Sequence, residues 1–573
     1  MEKRWQIKPE GNIKYINHLT EVLGVDKHIA NILVQRGVTN YEEAKLFFRP
    51  DLTHLYNPFL MKDMDKAVER FGYALEHKEK ILVYGDYDVD GTTAVAMMYS
   101  FLKKIYSQID YYIPDRYTEG YGISYKGIDY AAENGFTLII ALDCGIKAIE
   151  KVDYALKKNI DFIICDHHNA GDQLPKAVAV LDPKRKDCNY PFKELSGCGV
   201  GFKFIHAIIS KPDFTSLHID IPSELEEYLD LVCVSIASDI VPINGENRIL
   251  AYFGLKKLNS NPLTGLRSII KISGIEGKYI NINECVFKIG PRINAAGRIE
   301  SGRRAVELLL SGDEKQAEEI GFEINNYNIT RKDLDHKITQ QALDIISSDP
   351  EQLKRKSTVL FRSDWHKGVL GIVASRLTET YYRPTIVLTE SNGLATGSAR
   401  SVIGFNLYDA IDSCSDLLES FGGHFYAAGL TLKLENVDAF IERFEKVVSN
   451  SITSEQLIQQ IDVDDQIDLA EITPKFYRLL RQFEPYGPEN MTPLFVTKNV
   501  IALNSSRKVG KTEEHIKLDL AHHSTVMPAI AFGHGHRFDG FKNGNPIDIC
   551  YSIEENDFNG NVTLQLFIRD IKI

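Results

Sequence analysis

Five short apolar runs between residues 79 and 183 each close on a polar cluster: "KILVYGDYD", "IDYYIPDR", "FTLIIALDCG", "DFIICDHHN" and "AVAVLDP". Helical stretches separate them. A strand this apolar is buried on both faces, and a parallel sheet covered by helices is the arrangement that buries it. The alternation therefore commits this part of the chain to an α/β architecture. It also gathers the polar tails at the carboxyl ends of the strands, the rim where open α/β sheets build their sites.

The 573 residues are enough for about three or four domains. Ahead of the sheet, "LGVDKHIANILVQRGVTNYEEAKLFF" carries apolar residues at helical spacing around a Gly-centred turn. A packing role is expected for it ahead of a DNA-reading helix-turn-helix. Residues 303 to 347 read as one long helical tract, with Ile320, Ile324, Tyr327, Leu334, Ile338 and Ile345 at helical steps, bridging two lobes. A second α/β unit begins near 357 with "STVLFR", "TIVLTE" and "ATGSARS" as strands and ends near 450. From 456 onward, "PLFVTKNVIAL", "HIKLDLAH", "MPAIAFG", "IDICYSIEE" and "VTLQLFIRDIKI" alternate between turn signals. They are expected to form a small barrel of the OB type, with a sandwich as the alternative.

The first of the apolar runs opens onto Asp86, Asp88 and Asp90, at alternate positions between Gly85 and Gly91, with no Lys or Arg among them. At a strand end such carboxylates converge, and a divalent cation is the simplest neutraliser. An EF-hand is excluded: its twelfth position, which must be Glu, is Met97 here. "DVDGT", Asp88 to Thr92, resembles the nucleophile motif of haloacid-dehalogenase-like phosphatases, but Asp86 takes the place nearest the strand. A solvated acidic turn does not suit groups flanked by a buried strand. Further strand ends offer Asp143, then Asp166, His167 and His168, and "LVCVSIASDIVPI", read as another strand, offers Asp239. At least five of these aspartates and one histidine exceed the needs of one ion. Two ions about 3.5–4 Å apart would satisfy them, and such pairs hydrolyse phosphate esters. Carboxylates with imidazole favour Mn²⁺, with Mg²⁺ as the alternative.

The net charge of -13 at pH 7 argues against a DNA binder that uses its whole surface, not against one with a local basic groove. The eight cysteines are scattered without a CxxC pair, the opening residues do not resemble a signal peptide, and no apolar run approaches a membrane span. A cytoplasmic location is expected.

The segments "GDYDVDGTTA", "PDRYTEGYGIS", "ALDCG", "CDHH", "SIASDIVPI", "GPRINAAGRI", "GIVASRL", "GSARS", "FGGHFYAAGLTL" and "EPYGPEN", in this order, resemble the DHH phosphoesterase superfamily. Within it they are most similar to the RecJ family of single-strand-specific exonucleases. The resemblance implies two α/β lobes, a DHH domain and a smaller DHH-associated domain, joined by a long helix and followed by the OB-like barrel. The expected boundaries are 1–55 for the N-terminal helical segment, 56–285 for the DHH domain, 286–350 for the connector, 351–455 for the DHH-associated domain and 456–573 for the barrel. It implies metal ligation by Asp88, Asp90, Asp143, His167 and Asp239, with Asp143 bridging, Asp86 as a further ligand or support, and His168 facing the scissile phosphate. Asp166 would orient a histidine rather than bind metal. The pyrophosphatase branch has a histidine where this chain has Tyr84.

The same resemblance makes Arg116 a 5′-phosphate ligand and Tyr121, with Tyr117 nearby, a stacking platform. Ser398 and Arg400 resemble a phosphate-binding pair. Arg292, Arg298 and Asn294 are expected along the DNA path, and Gly422, Gly423 and His424 near the phosphate. The implied activity is single-strand-specific 5′→3′ hydrolysis releasing 5′-mononucleotides, in DNA repair and recombination. Single-strand-binding protein and a RecQ-type helicase are the partners it implies. The alternatives are a DHH enzyme of short oligoribonucleotides or nucleoside bisphosphates, and a non-catalytic scaffold. Longer family members carry a further C-terminal domain that this sequence is not expected to include.

Overall fold

The computed structural model describes residues 3–211, 225–558 and 560–573. In the first lobe, the five apolar runs form a five-stranded, all-parallel sheet. Its order is Ile109–Tyr112, Lys80–Gly85, Phe136–Leu142, Asp161–Cys165, Ala179–Leu181. Side chains alternate between two cores, which is why the runs are continuously apolar. Ile81, Val83, Leu138, Leu142 and Ile163 join one core, and Leu82, Tyr84, Ile139, Phe162 and Ile164 the other. The strand Lys80–Gly85 lies between the second and third strands in sequence. The connections leaving it and leaving Phe136–Leu142 therefore diverge to opposite faces and open a crevice at the rim.

Three expectations change here. The "LVCVSIAS" run is not a strand but the helix Leu229–Ser238, with Asp239 at its C-cap. Leu229, Leu231, Val232, Cys233, Val234 and Ile236 are all buried in the first core, so the helix is apolar all round, and a buried helix and a buried strand then read alike. The tract 303–347 is two helices, Gly302–Leu310 and Glu314–Ser348, broken at residues 311–313. Much of the expected connector also belongs to the first lobe, since Ile293, Ala296, Val306 and Leu309, on the helices Gly290–Ile299 and Gly302–Leu310, sit in its core.

The helix Glu314–Ser348 has 35 residues and is therefore about 52 Å long. Ala317, Ile320 and Ile324 pack into the first lobe, while Ile338, Ala342 and Ile346 pack with Trp365, Val369 and Val373 of the second. Buried Asp335 fixes the second contact by a paired hydrogen bond from Arg376. The second lobe is a mixed sheet ordered Leu418–Gly423, Ala427–Lys433, Leu394–Arg400, Thr385–Ser391, Thr358–Phe361, in which only the last two strands are parallel.

The C-terminal strands form a seven-stranded sheet that closes on itself. Phe495–Ala502 pairs both with Pro546–Phe558 and with His515–His522. The N-terminal helices Ile13–Leu23, Lys27–Gln35 and Tyr41–Phe48 share its core: Ile16, Leu19, Ile29 and Leu33 cluster with Leu469, Phe476, Phe483 and Phe495. The strand Arg4–Ile7 pairs in parallel with Gln460–Val463. Arg248 of the first lobe joins all three parts, donating to the carbonyls of Phe47, Phe483 and Glu484. Among the described residues no helix is long and apolar enough to cross a membrane.

Candidate metal centre and phosphate-binding cleft

The acidic loop takes its shape from its glycines and from backbone amides. A Cβ on Gly91 would lie 2.5 Å from the Asp86 carbonyl oxygen, so only glycine lets the loop fold onto the next helix. Asp88 caps that helix, Val89–Ile105, by accepting from the Gly91 amide. Asp86 is buried, and its two oxygens accept the amides of Tyr87 and Gly122 at 2.6 and 3.0 Å. Its carboxylate thus ties the acidic loop to the loop at 113–124. Asp90 accepts the amides of Gly197 and Cys198 at the start of the helix Gly197–Ser210, and the Ser235 hydroxyl, each at 2.7 Å. A helix N-terminus favours a carboxylate there.

Asp143 follows its strand in the left-handed conformation, φ 59°, which directs the side chain into the crevice. A Cβ on Gly197 would lie 2.5 Å from the Asp143 Cβ, so a glycine is needed for this approach. Buried His167 stands among three carboxylates. Its Nε2 is 3.2 Å from Asp143 Oδ1, 3.6 Å from Asp239 Oδ2 and 3.7 Å from Asp90 Oδ2. Both of its ring nitrogens, and Asp143 Oδ1, are buried without a hydrogen-bond partner. Among the described residues no Lys or Arg forms an ion pair with Asp88, Asp90, Asp143 or Asp239.

Burial and mutual repulsion push Asp86, Asp88, Asp143 and Asp239 above the usual carboxylate range. Unpaired charges in a buried crevice, with orphaned donor atoms aimed at one another, fit a divalent cation. Potential ligand atoms lie within 4.8 Å of one another in two groupings here, Asp90–His167–Asp239 and Asp143–His167–His168. Asp88 lies close enough for its charge to act on Asp143 and Asp239. Neither Asp86 nor Asp88 belongs to either grouping.

Asp166 has a different place. Its oxygens accept the amides of Ile146, His167 and His168 and contact His168 Nδ1 at 2.7 Å. Burial opposes its charge, but the His168 hydrogen bond and charge outweigh it and lower the pKa to about 2. The same contact outweighs the burial of His168 and raises it to about 9. The Asp166 contact thus favours the protonated form of His168 and holds the ring by one nitrogen, with Tyr121 edge-on at 6.3 Å between ring centres.

Beside the acids stands a cluster of arginines. Arg116 lies 4.4 Å over the Tyr87 ring, with its Nε buried and unpartnered. Arg298 donates to the Gly368 carbonyl at 2.9 Å, and its own carbonyl accepts the Tyr117 hydroxyl, so both lobes meet here. Burial, then the charges of Arg116, Arg331 and Arg400, lower Arg298 to about 10. Among the described residues these four arginines form no ion pair with a carboxylate. Arg400 donates to Ser398 at 2.9 Å, and a Cβ on Gly371 would come within 3.0–3.1 Å of both side chains. They therefore meet the first turn of the helix Leu370–Tyr381. Mutually repelling guanidiniums at a helix N-terminus are chemically suited to an anion.

Other expected residues lie further out. Arg292 reaches Asn325 and the Lys288 carbonyl, beside Arg331 rather than in the cleft's centre. Asn294 Oδ1 is buried and unpartnered. Gly422 and Gly423 end the exposed edge strand of the second lobe, and His424 follows, close enough for His168 to disfavour its charge. Arg331 was not singled out in the sequence. It sits in "NITRKDLDHK", which reads as a solvated helix face, and only the folded approach of the lobes gives it a partnerless Nε in the cleft.

Three family models match the chain: "DHH family, N-terminal domain" at residues 80–236, "DHHA1 domain" at 354–450 and "RecJ OB domain" at 463–570. The single-stranded-DNA-specific exonuclease RecJ of Bacillus subtilis is 37% identical over 572 residues, which cover 100% of this chain and 71% of that relative. The chain belongs to the RecJ family. RecJ of Escherichia coli is 31% identical over 528 residues, covering 89% of this chain and 90% of its own. The structure of RecJ from Thermus thermophilus in complex with Mn²⁺ superposes with a TM-score of 0.84 at 26% identity, covering 100% of this chain and 79% of the other. The same protein in complex with Mg²⁺ gives 0.77 at 25% identity, covering 100% and 78%. Mn²⁺ and Mg²⁺ are thus the cofactors of RecJ structures, and the acidic centre of this chain suits either. RecJ membership makes the chain a metal-dependent nuclease, and the haloacid-dehalogenase alternative falls away.

Proposed function

We propose that the chain is a single-stranded-DNA-specific 5′→3′ exonuclease that releases 5′-mononucleotides by phosphodiester hydrolysis. One observation carries the reading: a carboxylate–histidine centre without a basic ion-pair partner lies beside an arginine cluster without an acidic one, at the junction of two lobes. A terminal phosphate in the cluster leaves the next phosphodiester at the acidic centre.

Asp88, Asp90, Asp143, His167 and Asp239 would hold two divalent ions, Mn²⁺ in the first place, while Asp86 fixes the loop. Such ions neutralise the carboxylates, stabilise charge developing on phosphoryl oxygens and lower the pKa of water. His168, kept cationic and oriented by Asp166, donates to the scissile phosphate. Arg116, Arg298, Arg331, Ser398 and Arg400 clamp the 5′-phosphate, since guanidinium forks match phosphate geometry. Tyr121, half-exposed beside His168, offers its face to the terminal base without reading it. Arg292, Asn294, Gly422, Gly423 and His424 line the path. The contacts from Tyr117 to Arg298 and from Arg298 to Gly368 close the cleft on one side, which admits a single strand and excludes a duplex. The barrel grips the strand further along.

A role in DNA repair and recombination, in the cytoplasm, accords with this activity and with eight buried free thiols. Single-strand-binding protein and a RecQ-type helicase are the proposed partners, by family resemblance. The test uses 3′-labelled single-stranded DNA with a 5′-phosphate or 5′-hydroxyl, beside blunt duplex and RNA, with Mn²⁺. Shortening from the 5′ end of single strands alone is expected. Turnover restricted to dinucleotides or bisphosphates would overturn the reading.

A further inference from the structure

Asp468, His522 and His523 come together at one end of the barrel, on a different domain from the acidic centre. His522 ends the strand His515–His522 and pairs with Thr525 across a two-residue turn. His523 occupies that turn with φ 53°, a conformation that favours glycine or asparagine. Asp468 caps the short turn Leu469–Glu471. His522 Nδ1 is 3.2 Å from Asp468 Oδ1, and His523 Nε2 is 3.8 Å from Asp468 Oδ2. The two imidazoles are 4.2 Å apart between ring centres. The three potential ligand atoms lie within 4.8 Å of one another.

We propose that Asp468, His522 and His523 bind a transition-metal dication of the Zn²⁺ class. Bonds of about 2.0–2.2 Å from imidazole nitrogen and carboxylate oxygen place neighbouring donors roughly 3–3.5 Å apart; the 3.2 Å pair already meets this, and a small side-chain rotation of exposed His523 brings in the 3.8 Å pair. Two imidazoles and one carboxylate suit Zn²⁺, Ni²⁺ or Co²⁺, whereas Mg²⁺ prefers all-oxygen sites. The site has three protein ligands and an exposed side, so water completes the shell. The bound ion links the hairpin to the capped turn, and Glu471 of that turn reaches His28 of the N-terminal helices at 3.3 Å. It therefore fastens the barrel where the N-terminal segment docks. The inference is independent of the nuclease reading.

The probe is Zn²⁺ alone, with the full chain, by equilibrium dialysis. The wild type is expected to bind one equivalent more than the double variant His522→Gln, His523→Asn. Its melting temperature is also expected to rise by several degrees more on Zn²⁺ addition. The single variant His523→Asn, whose asparagine suits φ 53°, is expected to lose that equivalent while melting like the wild type without metal. It keeps the test valid where the double variant fails to fold. Equal stoichiometry and an equal melting shift in wild type and His523→Asn would overturn the proposal.

Discussion

Asp143 shows what burial among other carboxylates does to a protein. Its carboxyl is buried, its Oδ1 has no partner, and burial followed by the charges of Asp90 and Asp88 pushes its pKa well up. A carboxylate with a raised folded pKa destabilises the fold once pH exceeds its unfolded value near 4. Asp143→Asn is therefore expected to abolish cleavage and yet to melt higher than wild type in chelator at neutral pH. Melting with and without Mn²⁺ checks this, since the variant should also lose most of the metal-induced rise. Arg331 supplies the matching prediction on the anion side. Hydrogen bonds to charged groups contribute roughly 1.5–3 kcal/mol. Arg331→Ala should thus weaken binding of 5′-phosphorylated strands by about 10- to 100-fold, with a much smaller change for 5′-hydroxyl strands, as read by KM on the two substrates. The aspartates were legible because like charges at alternate positions cannot stand alone. Arg331 was not, because a lone basic residue on a long polar helix has no local signature. Its role depends on the approach of a second lobe that begins beyond the end of its helix, seen in the Arg298–Gly368 contact.

The same division holds for the elements. The strands of the first sheet were legible because burial on both faces leaves an unbroken apolar run. The helix Leu229–Ser238 was not, because it is buried all round and loses the periodicity that distinguishes a helix. Asp239 nevertheless reaches the crevice, since the C-cap of that helix opens onto the same rim as the strand ends. Helix placement here rests on glycine contacts that sequence periodicity cannot show. Gly197→Ala is expected to reduce cleavage at least tenfold while leaving most of the secondary structure. The added Cβ would lie 2.6 Å from Asp143 Oδ1, and either the helix start or the carboxylate must shift. Activity and far-UV circular dichroism on the same preparation separate the two effects. Retention of full activity would mean that the crevice adapts more freely than its packing indicates.

At the scale of the whole molecule, the N-terminal helices and the barrel form one packed unit, with His28 at the seam. His28 is buried and contacts Asp465 at 2.8 Å and Glu471 at 3.3 Å. Burial opposes its charge, but the Asp465 hydrogen bond and the surrounding acids outweigh it and raise the pKa. The resulting stability is fully present below the unfolded value near 6.5 and is lost as pH rises through the folded value. The difference in melting temperature between wild type and His28→Gln should be widest below about pH 6.5 and shrink in alkaline buffer. A difference independent of pH would show that His28 acts by packing alone. The helical character of the N-terminal segment was legible from its periodicity. Its partner was not, because docking across a whole chain leaves no trace in a local window.

That docking also sets an order of events during synthesis. His28 and Asp465 are 437 residues apart in the chain. At about 5–20 residues per second, the first helices leave the ribosome roughly 20 to 90 s before the residues that bury them. Through that interval Ile16, Leu19, Ile29 and Leu33, enclosed in the finished core, have no native surface to cover them. The nascent chain thus displays a sticky amphipathic segment for most of its translation, and the two α/β lobes must complete beside it before the barrel arrives.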